Sequence, residues 1–381
     1  MSLRLLIVST LDSSQPFGAF TRPFYLGMHL ANYFEVCQLG LDCSSVNYSQ
    51  SVSVGSRSLT QYTQAIRQCI ETFRPDVIYT QETLPSIAAL IVNSSQKGQK
   101  IPLVFDFHTL SAFEYWTRFP IANNKFNELI QFVKTYIAQG ILVFSGNPII
   151  AAGQPISHLL SKWYFTKPER AYCVGNGVAE DLLHLDRLTL PDPYQKLRPA
   201  KIVAVVAPRT FQFPSNDMSV EMAVEIARDL ETVDPKIHFV VIGRDAQQID
   251  QVLPSNITFS GFLPRRENFL NHLHYADIGL LPFPDQAVAG GARNKALDLF
   301  ACRKLVVTTP EGMRGLEGFK HQQHLVMSEA STAKVAQSIR EICENFDAYE
   351  PLIEAAYRLV QDKYSWKAKA EAITKILATC Q

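Results

Sequence analysis

The chain has 381 residues, longer than one compact domain usually is, and this predicts two or three domains. Hydrophobic residues make up 47% of the sequence and charged residues 19%, a composition that excludes a disordered scaffold. The 36 basic residues balance the 36 acidic ones, so no overall positive field attracts nucleic acid and an anionic ligand needs a local site.

The N-terminal apolar run is only about five residues long, shorter than the apolar core of a signal peptide. No stretch approaches the ~18 apolar residues of a membrane-spanning helix. The seven cysteines are scattered and include no CxxC pair, which argues against a zinc site and against a disulfide framework. We therefore expect a cytoplasmic protein.

Short apolar runs alternate with amphipathic helical segments through the first half of the chain. Strands are predicted at residues 3–8, 34–41, 76–79, 102–106, 141–145 and 171–174. Helices are predicted at residues 22–32, 59–73, 84–95, 121–138 and 155–163. Continuous apolar strands that alternate with helices are typical of a parallel sheet covered on both faces.

Residues 182–199 interrupt this alternation, because they contain three prolines and no sustained period, as a linker does. Further strands are then predicted at 201–207, 237–243, 256–260, 278–282 and 305–308. Further helices are predicted at 216–233, 265–275, 293–302, 331–345, 350–362 and 366–379. The pattern predicts two doubly wound α/β domains, at 1–182 and 201–362, joined by a linker at 183–200 and followed by a helical segment at 363–381.

In open parallel sheets, ligands bind beyond the carboxyl ends of the strands, where the strand order reverses. If two such domains face each other, the site is expected in the cleft between them. The loop after the first strand is polar, contains the single glycine Gly18 and opens a helix, so its N–H groups can hold a phosphate. An ordinary strand-to-helix connection explains this loop equally well. The absence of GxGxxG argues against a dinucleotide-dependent dehydrogenase.

His108 follows the predicted strand 102–106 by two residues, a position from which a side chain points to the ligand. A histidine there can hydrogen-bond a sugar hydroxyl or transfer a proton, although a structural role is the alternative. Asp106 and Glu114 are weaker candidates. The remaining paired histidines lack a shared helix face or nearby acids, so no metal site is predicted: His272, His274, His321 and His324.

Arg209 follows the first strand of the second domain and offers a planar fork for phosphate oxygens, unless it forms only a surface salt bridge. After the strand 278–282, the pair Gly290-Gly291 precedes a helix, and glycines let a pyrophosphate approach the free N–H groups at a helix start. Lys295 adds a charge in the first turn, and Asp298 shares its face and can accept ribose hydroxyls. A surface Lys–Asp pair is the alternative. This pattern predicts a nucleoside-diphosphate site.

Several short motifs occur in an order that resembles the GT-B-fold glycosyltransferases, specifically the retaining group called family 4. Gly175-Asn176-Gly177-Val178 matches an "NGV" signature at the end of the N-terminal domain. Arg209 stands at the position of a phosphate-binding arginine. Ser260-Gly261-Phe262-Leu263, with Tyr275-Ala276-Asp277, resembles the segment beside the nucleotide base. Residues 295–307 resemble the "K-x-x-E-A-M-A-x-G-x-P-V-V" helix, and Tyr364-Ser365-Trp366 resembles the "F-S-W" ahead of the last helix.

The chain also departs from the family pattern. The family usually has two acids eight positions apart, but here only Asp298 is present and the first position is Gly290. Arg303 replaces a glycine, and no lysine clearly follows Arg209. Branches that build exopolysaccharide keep a lysine and one acid on this helix, as Lys295 and Asp298 do here.

The resemblance implies a two-domain GT-B fold whose last helix packs back on the N-terminal domain. It also implies metal-independent transfer, with retention, from a nucleoside-diphosphate sugar to a carbohydrate or lipid-linked acceptor, as in polysaccharide biosynthesis, with no cofactor. Catalysis is then expected from His108, Arg209 and Lys295. Donor binding is expected from Gly18, Gly261, Phe262, Leu263, Gly290, Gly291 and Asp298. Two alternatives stay open: a sugar-nucleotide epimerase, and a non-catalytic nucleotide-binding relative.

An aromatic cluster follows the His108 loop: Phe113, Tyr115, Trp116, Phe119 and Ile121. Such a cluster can place a protein peripherally at the inner face of a membrane, where it would reach a lipid-linked acceptor. Core packing explains it equally well.

Overall fold

The computed structural model describes residues 3–13, 20–44, 48–187, 190–208, 214–249, 251–287 and 291–380. The chain divides into two compact units. The first comprises Met1–Gly177, Gly290–Ala292 and Trp366–Gln381, and the second comprises Val178–Ala289 and Arg293–Ser365. Each unit contains one parallel sheet with helices, which confirms the predicted α/β class.

The first sheet has seven parallel strands: β1 (Arg4–Val8), β2 (Glu35–Gly40), β3 (Gln50–Ser53), β4 (Val77–Gln81), β5 (Leu103–Phe107), β6 (Ile149–Ala151) and β7 (Ala171–Cys173). The second has six: β8 (Lys201–Val206), β9 (Ile237–Ile242), β10 (Ile257–Phe259), β11 (Ile278–Leu281), β12 (Leu305–Thr308) and β13 (Val326–Met327).

The helices of the first unit are α1 (Thr21–Leu30), α2 (Leu59–Phe73), α3 (Thr83–Ser95), α4 (Ser111–Arg118), α5 (Lys125–Phe144), α6 (Gln154–Tyr164) and, at the end of the chain, α12 (Trp366–Ala378). Those of the second are α7 (Pro214–Glu231), α8 (Arg266–Tyr275), α9 (Asn294–Ala301), α10 (Thr332–Glu344) and α11 (Glu350–Lys363).

The order of the first sheet is β3-β2-β1-β4-β5-β6-β7, and it reverses between β1 and β4. The order of the second sheet is β10-β9-β8-β11-β12-β13, and it reverses between β8 and β11. Both central strands are buried along almost their whole length, as a parallel sheet covered on both faces requires. Ligand sites in such sheets lie beyond these reversals, so the loops after β1, β4, β8 and β11 are the ones to examine.

Local chemistry fixes several helix ends. The Ser58 hydroxyl accepts a hydrogen bond from the Gln61 N–H and so caps α2, while Asn124 caps α5 through the Asn127 N–H. The α2 helix ends at Arg74 in the left-handed conformation.

The predicted strand at residues 141–145 is wrong. This apolar run forms the end of α5, and the strand that pairs with β5 is β6, a few residues later. Ile141 and Phe144 are exposed while Leu142 and Val143 are buried, a spacing that suits a helix and not an alternating strand. The short strands β3 and β13 and the helix α4 were not predicted, because each is too short to show a sustained period.

The predicted linker is held against the second unit. The buried Tyr194 bonds through its hydroxyl to the Nδ1 of His272, 2.8 Å away. Arg198 forms an ion pair with Asp277, which also accepts the N–H of Ile202 at the start of β8. His272 of α8 and Asp277 of the Tyr275-Ala276-Asp277 motif therefore have structural roles.

Helix α12 belongs to the core of the first unit. Trp366 is buried and stacks on Tyr25 of α1, with ring centroids 5.9 Å apart. A Cβ added to Gly177 would lie only 2.7 Å from the Trp366 ring, so the second glycine of the Gly175-Asn176-Gly177-Val178 motif is needed for this packing.

Candidate functional site

Three polar side chains follow neighbouring strands around the reversal of the first sheet. Thr10 follows β1, Glu82 follows β4 and His108 follows β5. The Thr10 hydroxyl donates a hydrogen bond to the Glu82 carboxylate. Because the carboxyl ends of parallel strands meet at one edge, this part of the first unit has the placement expected of a ligand site.

The surroundings of His108 favour the neutral form of its imidazole at neutral pH. Its side chain is about nine-tenths buried, its Nε2 lies 3.9 Å from the Asp106 Oδ1, and within the described residues this nitrogen has no hydrogen-bond partner. Burial, with a smaller contribution from the Arg22 guanidinium, lowers the pKa of His108 to about 4 against the opposing charge of Asp106. His108 can therefore exchange hydrogen bonds with a ligand without carrying charge at neutral pH.

Asp106 serves mainly to hold the first unit together. The Arg22 guanidinium binds its Oδ2 with two bonds, of 2.8 and 3.0 Å, and the Tyr79 hydroxyl donates to the same oxygen. Arg22 also donates to the Gly175 carbonyl and to the Asn176 side chain, each at 3.1 Å. Asn176 of the "NGV" motif is thus connected by hydrogen bonds, through Arg22, to Asp106.

Sequence reasoning missed Glu82. This residue has a φ of 72°, a conformation that costs a non-glycine residue ~1–3 kcal/mol and that concentrates at functional sites. Burial raises the pKa of Glu82, and Asp106 adds to the rise against the Thr10 hydrogen bond. Burial also raises the pKa of Glu114 to about 7, with Glu82 adding to it. A carboxyl directly after a buried strand was the available signal, but the predicted strand 76–79 stopped two residues before the end of β4, so Glu82 was not recognised as following it.

Lys295 lies in the first turn of α9, just beyond the reversal of the second sheet. Its Nζ donates to the Asn216 Oδ1 at 2.7 Å and lies 5.8 Å from the centre of the Phe283 ring. Burial, together with the charges of Arg293 and Arg244, lowers the pKa of Lys295 to about 7 against the opposing charge of Asp298. None of the ion pairs within the described ranges includes this amine.

Arg293 was not predicted as a site residue, yet it organises the loop before α9. It is buried, lies 3.8 Å above the Phe283 ring and donates to Ser215 Oγ at 3.1 Å. It also binds the Glu311 carboxylate at 3.2 Å and the Ala287 carbonyl. Its charge is therefore largely compensated by Glu311.

Arg244 was also missed. It follows β9, is almost fully buried and binds the Asp217 carboxylate at 2.5 Å, while its Nε has no partner among the residues described. Together with Lys295 and Arg293 it forms a basic cluster in which two charges have acidic partners and the Lys295 amine has none within ion-pair distance.

Asp298 lies one turn after Lys295, as predicted. Burial raises its pKa to about 6, although Arg266 and Lys295 oppose the rise. The opposite side of the helix is buried, since Leu297, Phe300 and Ala301 are all nearly inaccessible. The acid thus occupies the half-buried face of α9 together with the lysine.

The loop after β10 contains Gly261, Phe262 and Leu263. Gly261 has a φ of 70°, and a Cβ there would lie 2.9 Å from the Asp245 Oδ1, so glycine is required for this turn. Its N–H donates to the Arg244 carbonyl at 3.0 Å. Phe262 is two-thirds exposed, an unusual position for an aromatic ring and one available for stacking on a base.

Three predicted site residues, Gly18, Arg209 and Gly290, lie outside the described residues. Gly291 is described and groups with the first unit, where a Cβ would come 3.2 Å from the His108 carbonyl oxygen. No set of three or more His, Cys, Asp and Glu side chains in the described ranges is placed to hold a metal ion. Within those ranges, no helix has the length and apolar character needed to cross a membrane.

Comparison with known proteins supports the fold assignment. Residues 208–345 match the family model "Glycosyl transferases group 1". A glycosyltransferase structure from Rickettsia africae aligns with a TM-score of 0.73 at 15% identity, covering 100% of this chain and 98% of the other. The Anabaena protein HepE in complex with UDP-glucose aligns with a TM-score of 0.72 at 13% identity, covering 99% and 100%.

A candidate UDP-N-acetylglucosamine 2-epimerase of Listeria monocytogenes aligns less closely, with a TM-score of 0.55 at 13% identity, covering 98% of this chain and 95% of the other. No curated protein matches the chain by sequence. The chain has the GT-B fold, and the resemblance to GT-B glycosyltransferases is confirmed. The match to the group 1 model covers residues 208–345 and thus includes α9.

Proposed function

We propose that this protein transfers a sugar from a nucleoside-diphosphate sugar to an acceptor hydroxyl, with retention and without a metal. The observation that carries the proposal is the half-buried Lys295 amine at the start of α9, in the region that matches the group 1 model, lacking an acidic partner within ion-pair distance. A buried amine whose pKa is near 7 gains a full charge when an anion binds beside it, so this site favours a diphosphate.

Each donor group has a matching residue in this proposal. Lys295 and Arg209 bind the diphosphate, with Gly290 and Gly291 leaving room for it ahead of α9. Asp298 accepts the ribose hydroxyls, and Gly261, Phe262 and Leu263 flank the base. UDP-sugars are the first donors to test, because HepE was solved in complex with UDP-glucose.

In the reaction, the bond between the anomeric carbon and the diphosphate oxygen breaks and a bond to the acceptor oxygen forms. The acceptor proton passes to the departing phosphate oxygen. Lys295 and Arg209 stabilise the negative charge that gathers on the leaving group. On the first unit, the neutral His108 and the Glu82 carboxyl orient the sugar and acceptor hydroxyls, and Gly18 lends backbone N–H groups.

Release of the nucleoside diphosphate from a panel of sugar donors, with oligosaccharide and lipid-linked acceptors, tests the assignment. We expect Lys295→Ala and Arg209→Ala to lower turnover about a hundredfold each, the scale for losing one transition-state donor. Lys334→Ala, on the exposed face of α10, is the matched control. Wild-type turnover in both site variants contradicts the assignment.

An epimerase is the second candidate, because the Listeria protein shares the fold. An epimerase converts its nucleotide sugar when no acceptor is present, so chromatography of the donor after incubation alone separates the two activities. Donor binding without conversion or transfer would instead identify a non-catalytic relative.

A further inference from the structure

One face of α5 carries an apolar stripe that none of the described residues covers. Its six side chains are between 41% and 74% exposed: Phe126, Leu129, Val133, Ile137, Ile141 and Phe144. They recur at intervals of three and four residues, so they lie along one side of a helix of 20 residues. The stripe is therefore ~30 Å long.

The opposite side of α5 explains why the stripe faces outward. Gln139, Leu142 and Val143 are buried, and the helix packs on α3 and α4. Trp116 of α4 is half exposed and extends the apolar surface, with its ring 5.3 Å from that of Phe132 on α5. The helix thus has two apolar sides, and only one is used by the fold.

This observation revises the aromatic cluster predicted from the sequence. Phe113 packs on the core and on Trp163, and Tyr115 and Phe119 are half-buried. Among the members whose side chains are described, Trp116 alone is exposed. The surface available to a partner is consequently the α5 stripe with Trp116.

The segment that contains α5 and its neighbouring helices α4 and α6 has more basic than acidic residues. Residues 111–170 contain six basic and three acidic residues, although the whole chain is neutral. Lys125, Lys134, Lys162 and Lys167 are exposed. Of the acids, Glu114 and Glu128 are half-buried, with Glu128 3.5 Å from Arg118, and Glu169 is the exposed one.

We propose that the apolar stripe of α5 docks the protein on an anionic lipid bilayer. Apolar side chains on one face of a helix insert at the boundary between headgroups and acyl chains, and lysines beside them bind anionic headgroups. The half-exposed Trp116 is the residue type that favours this boundary.

A second copy of the chain fits the stripe less well. A stripe ~30 Å long and about 10 Å wide offers roughly 300 Å², whereas a stable interface buries about 800 Å² per partner. A two-fold dimer also places the same patch against itself, which brings Lys134 of each copy toward the like charge of the other. Neither the small area nor the repulsion between lysines applies to an anionic bilayer.

Co-sedimentation with vesicles tests the proposal independently of any transferase activity. We expect the wild type to pellet with vesicles of phosphatidylcholine and phosphatidylglycerol in equal parts, and about tenfold less with phosphatidylcholine alone. Ile137→Ser with Ile141→Ser should weaken binding to the mixed vesicles at least tenfold, roughly the loss expected when two half-exposed apolar side chains no longer insert.

Two further variants separate the contributions. Lys125→Gln with Lys134→Gln should weaken binding about tenfold while leaving the apolar surface intact. Val233→Ser with Val252→Ser, two exposed apolar positions of the second unit, is the matched control and should bind as the wild type does. Circular dichroism and the melting temperature establish that each variant is folded.

Failure of the wild type to pellet with either vesicle overturns the proposal, as does equal binding by the folded Ile137→Ser/Ile141→Ser protein. Sedimentation velocity without lipid shows whether the protein forms a dimer, and so tests a second copy of the chain as the alternative partner of the stripe. A dimer that the same double substitution dissociates, combined with no vesicle binding, would assign the stripe to a second copy of the chain.

Discussion

At the scale of single residues, the buried Lys295 amine lowers the stability of the ligand-free protein, and in our proposal it binds the diphosphate of the donor. Burial and the neighbouring Arg293 and Arg244 charges hold its pKa at about 7, against an ordinary value near 10.5. Below pH 7 the folded protein therefore carries an unfavourable charge. Between about pH 7 and pH 10.5 the unfolded chain holds a proton that the folded chain has lost, so this contribution to stability rises with pH.

Lys295→Met should consequently stabilise the ligand-free protein at pH 6, by about 1 kcal/mol after allowance for the partial exposure of the amine and the lost bond to Asn216. Melting temperatures of the wild type and the variant, recorded between pH 6 and pH 10, measure this stabilisation. The gain over wild type should be a few degrees at pH 6 and should shrink toward pH 10. A destabilised variant at pH 6 would show that the charge is already compensated.

His108 should show its burial through acid sensitivity. Its pKa is about 4 in the folded protein and near 6.5 when unfolded, so the stability of the neutral form is complete above pH 6.5 and is lost as pH falls toward 4. The free energy of unfolding from urea titrations should fall about 2 kcal/mol more in wild type than in His108→Gln between pH 7 and pH 4. His158→Gln, an exposed histidine of α6, is the control. Parallel pH curves for wild type and His108→Gln would contradict the burial.

At the scale of elements, the contact between the Gly177 loop and α12 fixes the last helix in the first unit. A Cβ at Gly177 would lie 2.7 Å from the Trp366 ring and 2.8 Å from its backbone nitrogen, whereas a Cβ at Gly175 meets nothing within 4 Å. Position 175 can therefore accept a side chain, whereas position 177 cannot accept one without a shift of Trp366 or of the loop.

Gly177→Ala should lower the free energy of unfolding by about 2–3 kcal/mol, because the indole must move or the loop must shift. Gly175→Ala, two residues away, should change it by less than about 0.5 kcal/mol. Chemical denaturation of both variants checks the pair. Equal stability of the two would show that α12 is not seated against this loop.

The elements that could be predicted are those with a sustained pattern. Buried strands such as β5 and β11 and the long helix α2 were predicted to within a residue or two. His108 accordingly lies directly after β5, and Lys295 lies in the helix that follows β11. The end of α5 was mistaken for a strand because four consecutive apolar residues suit either structure when one helix has apolar faces on both sides.

The rest of the candidate site depends on neighbours distant in sequence. Arg244 and Arg293 join Lys295 only because β9 ends and α9 begins at the same edge of the second sheet. Glu82 is distinguished by a backbone angle, which no residue pattern reports. Strand ends could be read from the sequence, but the partners of each side chain could not.

At the scale of the whole molecule, each of two Rossmann-like units presents polar residues after the strands where its order reverses. In the second unit these are the basic residues around α9, and in the first unit they are His108 and Glu82. The central claim is that Lys295 binds the diphosphate of a sugar nucleotide, and everything proposed about catalysis depends on it.

Calorimetric titration of the protein with UDP, GDP and ADP at pH 8 tests this claim most directly. One of the three should bind, with a heat that varies with the ionisation enthalpy of the buffer because Lys295 takes up a proton, and Lys295→Met should bind it at least tenfold more weakly. Equal affinity of the two proteins, or no binding of any of the three nucleotides by the wild type, would contradict the account.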